Sequence, residues 1–175
     1  AVSHGEFADE PDDSIHVAII GKPNAGKSSI TNRFIGQDRM IVSDIAGTTR
    51  DAVDTRVVNE YGTYTFIDTA GIRRQARVDN RIEKYSVLRA HMAVERADVA
   101  LIMIDAGAGI TEQDEKIAGI AHEAGKASVI VVNKWDTIEK DNSTTGEFTA
   151  KIRKALAYMP YAPLVFVSAK TGQRV

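Results

Sequence analysis

Gly21-Lys22-Pro23-Asn24-Ala25-Gly26-Lys27-Ser28 sets two glycines five residues apart and closes on a lysine and a hydroxyl. Glycines let a backbone turn so that successive N–H groups converge on one point, which suits an anion. A lysine ammonium beside such a cup neutralises β- and γ-phosphate oxygens, and a serine hydroxyl is a hard oxygen donor for Mg²⁺. The string lies between an apolar run, Ile15–Ile20, and a stretch of helical pattern, Lys27–Ile35. A strand–loop–helix context is therefore expected, and the dipole of the helix adds to the anion site. Gly21 through Ser29 are the expected phosphate-side residues.

A phosphate cup does not choose a base. Asn133-Lys134-Trp135-Asp136 follows another apolar run, and Asp136 offers a carboxylate that can accept from both N1–H and the N2 amino group of guanine. Adenine lacks both donors and would leave that carboxylate unpaired, a costly mismatch. The stem of Lys134 can lie over the base, whereas Trp135 is expected to pack. Ser168-Ala169-Lys170 ends the last apolar run, where the N–H of Ala169 is expected to bond guanine O6.

Asp68-Thr69-Ala70-Gly71 ends a further run. Asp68 is expected to hold a Mg²⁺-bound water, and the N–H of Gly71 to meet the γ-phosphate and sense its loss. Gly47-Thr48-Thr49-Arg50 lies in an irregular segment from which a threonine could complete the Mg²⁺ shell, Thr49 in preference to Thr48. Ser28, Thr49 and Asp68 are thus the Mg²⁺ set.

The elements that must position these residues alternate. Strand patterns cover Ile15–Ile20, Thr55–Tyr61, Thr63–Asp68, Val99–Asp105, Ala127–Asn133 and Leu164–Ser168; helical patterns cover Lys27–Ile35, Asp79–Arg96, Glu112–Ala124 and Gly146–Tyr158. In the second helix Ile82, Tyr85, Leu88 or Arg89, Met92 and Ala93 fall near one face. Such alternation implies an α/β three-layer sandwich, with about six mostly parallel strands and one antiparallel edge strand at the Gly62 turn. Ala1–Ser14 is acidic and reads as a linker or leader; residues 15–175 read as one domain lacking a closing helix.

The sequence has 175 residues, 22 Lys and Arg against 24 Asp and Glu, and no cysteine. Disulfides, thiolate zinc and thiol nucleophiles are excluded, and no global basic field exists to hold nucleic acid by charge alone. No apolar run is long enough for a bilayer, so a cytoplasmic protein without membrane contact is expected. His4, His16, His91 and His122 lack ligand spacing, and Asp44 and Asp51 have no paired-carboxylate logic. Arg73, Arg74, Arg77 and Arg81 read as a solvated face, with a nucleotide-gated RNA or domain contact as the alternative.

The five motifs in this order resemble those of the P-loop GTPase superfamily from His16 to Lys170. Ile45-Ala46-Gly47-Thr48-Thr49-Arg50-Asp51 and Asp68-Thr69-Ala70-Gly71-Ile72 are similar to the Era, MnmE and Der group. Asp68-Thr69-Ala70-Gly71-Ile72-Arg73-Arg74, Ile82-Glu83-Lys84-Tyr85-Ser86-Val87-Leu88-Arg89-Ala90 and Asn133-Lys134-Trp135-Asp136 resemble the second GTPase domain of the Der (EngA) family, bacterial double GTPases of large-ribosomal-subunit assembly. The resemblance implies GTP hydrolysis with Mg²⁺, a partner in the large ribosomal subunit through the full-length protein, and a first GTPase domain and a KH-like domain that this chain does not contain. Phe7–Ser14 resembles the linker between the two GTPase domains. Ile72 stands where Ras-type members carry a water-orienting glutamine. The resemblance to MnmE instead implies K⁺ bound by Asn24 and by carbonyls around Asp44–Gly47, and so K⁺-stimulated hydrolysis. Lys27, Asn24, Thr49 and Gly71 are the expected catalytic set. The rivals are a tRNA-modification domain like that of MnmE, a nucleotide-gated assembly module with incidental hydrolysis, and an ATP-using phosphotransferase.

Overall fold

The computed structural model describes residues 13–36, 41–46, 53–77, 83–172 and 174, with side chains described for all of these except 41–46, 75–77 and 83–86. Thr49, with the whole of 47–52, lies outside the described residues, as do 1–12 and Arg81. Among the described residues there are seven strands: β1 (Ile15–Gly21), β2 (Ile41–Ala46), β3 (Val53–Asn59), β4 (Gly62–Phe66), β5 (Val99–Asp105), β6 (Ala127–Asn133) and β7 (Leu164–Phe166). The helices are α1 (Lys27–Ile35), α2 (Thr69–Arg77), α3 (Glu83–Arg96), α4 (Glu112–Glu123) and α5 (Thr144–Ala155), with a 3₁₀ turn over Trp135–Thr137.

The sheet runs β2-β3-β4-β1-β5-β6-β7. β3 is antiparallel to both neighbours, and all other pairs are parallel. The expected α/β class and mostly parallel sheet are present. The sheet carries one strand beyond the six expected, because β2 pairs along its whole length with β3 and lies outside it. The antiparallel strand is therefore second from the edge.

β1, β5 and β6 read as continuous apolar runs because both their faces are buried. Ala18 and Ile20, Ile102 and Ile104, Ile130 and Val132 face one helical layer, where α3 brings Ala93 and Val94, α4 brings Ile117 and α5 brings Ile152. Val17, Ile19, Met103 and Val131 face the other, against Ile30 of α1 and Ile72 of α2. Each such isoleucine contributes about 2 kcal/mol by leaving water. The expected face of α3 holds at Ala93 but not at Leu88 and Met92, which are exposed; the buried stripe is Ala90, Ala93 and Val94. Small residues let α3 lie close to β1, so alanines rather than the larger side chains mark its inner face.

Parallel strands put their C-terminal ends on one edge, and the loops after β1, β4, β5, β6 and β7 emerge there. Gly21 ends β1 in tight register with Met103; a Cβ on Gly21 would lie 2.9 Å from the Met103 carbonyl.

Candidate nucleotide-binding site

The cup after β1 turns on two left-handed residues, Asn24 at φ 67° and Gly26 at φ 100°. α1 then starts with no side-chain cap and no acidic residue in its first turn. By contrast α4 is closed by a reciprocal capping box between Thr111 and Asp114. The first N–H groups of α1 are thus the ones left for an external anion. Lys27 folds across the cup and donates to the Gly21 carbonyl at 2.8 Å. Burial, with Arg89 adding like charge, lowers its pKa to about 8. Lys22 leads away, 3.4 Å from both Thr111 Oγ1 and Asp114 Oδ2 at the head of α4. Ala25 is fully buried, Ser28 is half-buried and Ser29 is exposed.

Asn133 ties this cup to the opposite loop. Its buried side chain donates Nδ2–H to the Ala25 carbonyl and accepts from the Ala169 N–H, each at 3.0 Å. The Ala169 N–H expected to meet guanine O6 is therefore engaged by Asn133 in this structure. Gly26 must be glycine for the same reason: a Cβ there would fall on Asn133 Nδ2. Combining that clash with the left-handed backbone, Gly26→Ala is expected to lower unfolding stability by about 2–4 kcal/mol, read from denaturant midpoints.

Lys134 is left-handed at φ 62°, and its ammonium donates to the Asn24 carbonyl at 2.7 Å and to Asp105 Oδ2 at 3.0 Å. Burial pushes the Asp105 carboxyl up, but hydrogen bonds from Lys134 and the Gly107 N–H outweigh it and hold the pKa low. Asp136 is exposed, with one oxygen fixed by the buried Ser168 hydroxyl at 2.6 Å. Trp135 packs edge-on against Phe148 at 5.1 Å, as its expected packing role requires. Lys170 is exposed, and its carbonyl and that of Ala169 accept from Arg33 of α1 at 2.5 and 2.7 Å.

On the phosphate side, Gly21, Lys27, Asp68, Ile72 and Arg89 line one cavity. Asp68 is left-handed at φ 52°; its Oδ2 accepts from Arg89 at 2.6 Å and its Oδ1 from the Gly71 N–H at 3.3 Å. Burial raises the Asp68 pKa, with Arg89 opposing. Thr69 turns inward, bonding Thr55 Oγ1 at 2.7 Å and the Val53 carbonyl at 3.0 Å, so its hydroxyl serves the β3–α2 junction. Ala70 is half-buried, Arg73 is half-buried and Arg74 is exposed. The Ser28 hydroxyl on the first turn of α1 and the Asp68 carboxylate lining the cavity are hard oxygens of the kind that suits Mg²⁺, which keeps several waters.

A family model described as 50S ribosome-binding GTPase matches residues 16–134. The chain belongs to that GTPase family. It is 61% identical over 167 residues to GTPase Der of Acetivibrio thermocellus, covering 95% of this chain and 38% of that protein. With GTPase Der of Alkaliphilus oremlandii the identity is 63% over 164 residues, 94% of this chain and 37% of that one. The chain thus spans well under half the length of the curated relatives it matches. Among solved structures, Era in complex with MgGDPNP and nucleotides 1506–1542 of 16S ribosomal RNA is 30% identical with a TM-score of 0.67, covering 91% of this chain and 52% of that one. A probable GTP-binding protein EngB shares the fold at 20% identity and a TM-score of 0.58.

For this GTPase-family chain, sequence reasoning did not single out Asp105, Arg89, Asp54 and Arg33. Asp105 carried a signal: like Asp68 it is a charged residue closing an apolar run, and it lies directly opposite Asn133 in register. Arg89 and Arg33 carried none, since each is an ordinary helical arginine until the loop it reaches is placed.

Proposed function

We propose that this chain binds GTP with Mg²⁺ and hydrolyses it to GDP and phosphate. The Asn133 strut carries the reading, because one buried amide joins the phosphate cup to the loop behind the base-reading carboxylate. A purine and its phosphates then lie along one sheet edge, with Asp136 selecting guanine.

The N–H groups from Asn24 to Ser28 and the Lys27 ammonium hold the phosphates and offset charge as the terminal phosphoryl leaves. Lys27 exchanges the Gly21 carbonyl for phosphate oxygens to do so. Ser28 and Asp68, the latter through a water, would hold Mg²⁺, with Thr49 as a further donor; bound there, the ion would supply charge stabilisation to the phosphates. Gly71 is the γ-phosphate contact. Ile72, only 9% exposed, offers an alkyl wall where a water-orienting amide would stand, so the site works by positioning and charge. Asn24, left-handed with an exposed side chain, is the residue through which K⁺ would add to that charge.

The chain is the second GTPase domain (15–175) of a Der-like protein that acts on the large ribosomal subunit, with 1–14 as the linker. The share of the Der proteins that it spans fits one GTPase domain of a longer protein, and the choice of the second domain rests on the resemblance of residues 68–74, 82–90 and 133–136. Release of phosphate from GTP in KCl and in NaCl tests the chemistry. The wild type should be at least about tenfold faster in KCl, and Asn24→Ala should lose that difference. Equal rates in the two salts remove the K⁺ role; no release in either removes hydrolysis.

A further inference from the structure

Two arginines of α3, seven residues apart and so two turns along one face, end on two carboxylates, Asp54 of β3 and Asp68 of the β4–α2 corner. Arg96 pairs with Asp54, which is 6% exposed and in turn accepts the Asp68 N–H at 2.8 Å. This end is fixed. Arg89 pairs with Asp68 at 34% and 19% exposure, inside the cavity that also holds Lys27. This end is open to exchange.

Both Asp68 oxygens are used: Arg89 takes Oδ2 and the Gly71 N–H takes Oδ1. Gly71 leaves room for this pair: a Cβ there would fall on Arg89 Nη1 and lie 2.5 and 2.6 Å from the two carboxylate oxygens, so a larger residue would displace the contact. Under the reading given above, the same carboxylate must accept from a Mg²⁺-bound water, and the same N–H must reach a γ-phosphate. In the arrangement found, Arg89 competes with such a water for the carboxylate, and the Gly71 N–H must leave Oδ1 to reach a phosphate.

We propose that Arg89 and Mg²⁺ exchange at Asp68, so that Arg89 is a positioning residue that withholds this carboxylate and the Gly71 N–H until the metal arrives. The proposal rests on the nucleotide reading of the site. Entry of Mg²⁺ beside Lys27 and Arg89 would put a third positive centre in one small cavity; Lys27 is held there by the phosphates, so departure of the guanidinium is the move that relieves the repulsion. Once Asp68 turns to the metal's water, the Gly71 N–H loses its acceptor and becomes available to phosphate. Metal occupancy and γ-phosphate sensing are then one event, and loss of the Arg89 contact reports it to α3.

The test measures release of a fluorescent GDP from the wild type, R89M and R89K across a range of free Mg²⁺, with EDTA as the metal-free reference for each. With the competing cation removed, half-saturating Mg²⁺ in R89M should fall by about three- to tenfold, and R89K should return toward the wild type. Half-saturating Mg²⁺ in R89M at or above the wild-type value overturns the exchange. Should R89M not fold, the guanidinium resonances of Arg89 in the ¹⁵N-labelled wild type answer the same question: they should shift when Mg²⁺ is added to the GDP complex, and unmoved resonances overturn it. A wild-type chain that holds no GDP in either condition would overturn the nucleotide reading itself, a different result from either.

Discussion

Asp136→Asn should turn a guanine site into a xanthine site. Guanine presents two donors, N1–H and the N2 amino group, and a carboxylate accepts both. Xanthine keeps N1–H but replaces the amino group with a carbonyl, which matches the acceptor and donor of an amide. The structure makes the exchange local: Asp136 is exposed, held through one oxygen by Ser168, and lies outside the core. Folding should therefore be unchanged. Losing two charge-assisted bonds while facing guanine's amino group with a second donor should weaken GTP by about 10³- to 10⁴-fold. XTP should gain by a similar factor, read as the competition of GTP and XTP for one labelled nucleotide. Loss of both nucleotides would mean that Asp136 braces the loop instead of reading the base.

Lys27→Met should weaken GTP about 100-fold and slow hydrolysis by about 10²- to 10³-fold, the cost of removing one preorganised cation from a phosphoryl-transfer site. The same residue sets a pH dependence. Its pKa is lowered to about 8, chiefly by burial. Phosphate oxygens favour the ammonium, so the bound state carries the higher pKa and binding takes up a proton above pH 8. GDP affinity should be flat near pH 7 and fall as pH rises through 8 to 9, by at most about tenfold per unit. Lys27→Arg, charged throughout, should lose that slope while keeping the nucleotide's own titration. Isothermal titrations in buffers of different ionisation heat would read the proton uptake directly.

The strand–loop–helix cup between β1 and α1 was legible because it resides in residue types at fixed spacing. Only glycine takes Gly26's φ of 100° against Asn133, and only an apolar strand closed by glycine leads into such a loop. The α/β alternation was legible for the same reason, as β1, β5 and β6 are buried on both faces. β2 was not, because its six residues carry no marked alternation and owe their extended form to pairing with β3. The inner face of α3 was legible only at Ala93: Ala90 and Val94 complete it, Leu88 and Met92 are exposed, and Ile82 and the Tyr85 side chain lie outside the described residues. Asn133 shows the deeper limit. Its type and position suggest a ligand, yet both ends of its amide are spent on Ala25 and Ala169. That bracing depends on three loops converging, which no local pattern encodes. Arg89 is the same case: a helical arginine acquires its meaning only when Asp68 and Gly71 are set before it.

The central claim is one continuous site in which a base-reading carboxylate and a phosphate cup serve the same guanine nucleotide. Competition of GTP and ATP for a bound fluorescent GDP tests it most directly. The account predicts displacement by GTP at concentrations at least about 10³-fold below those needed for ATP. Equal displacement by the two would contradict it.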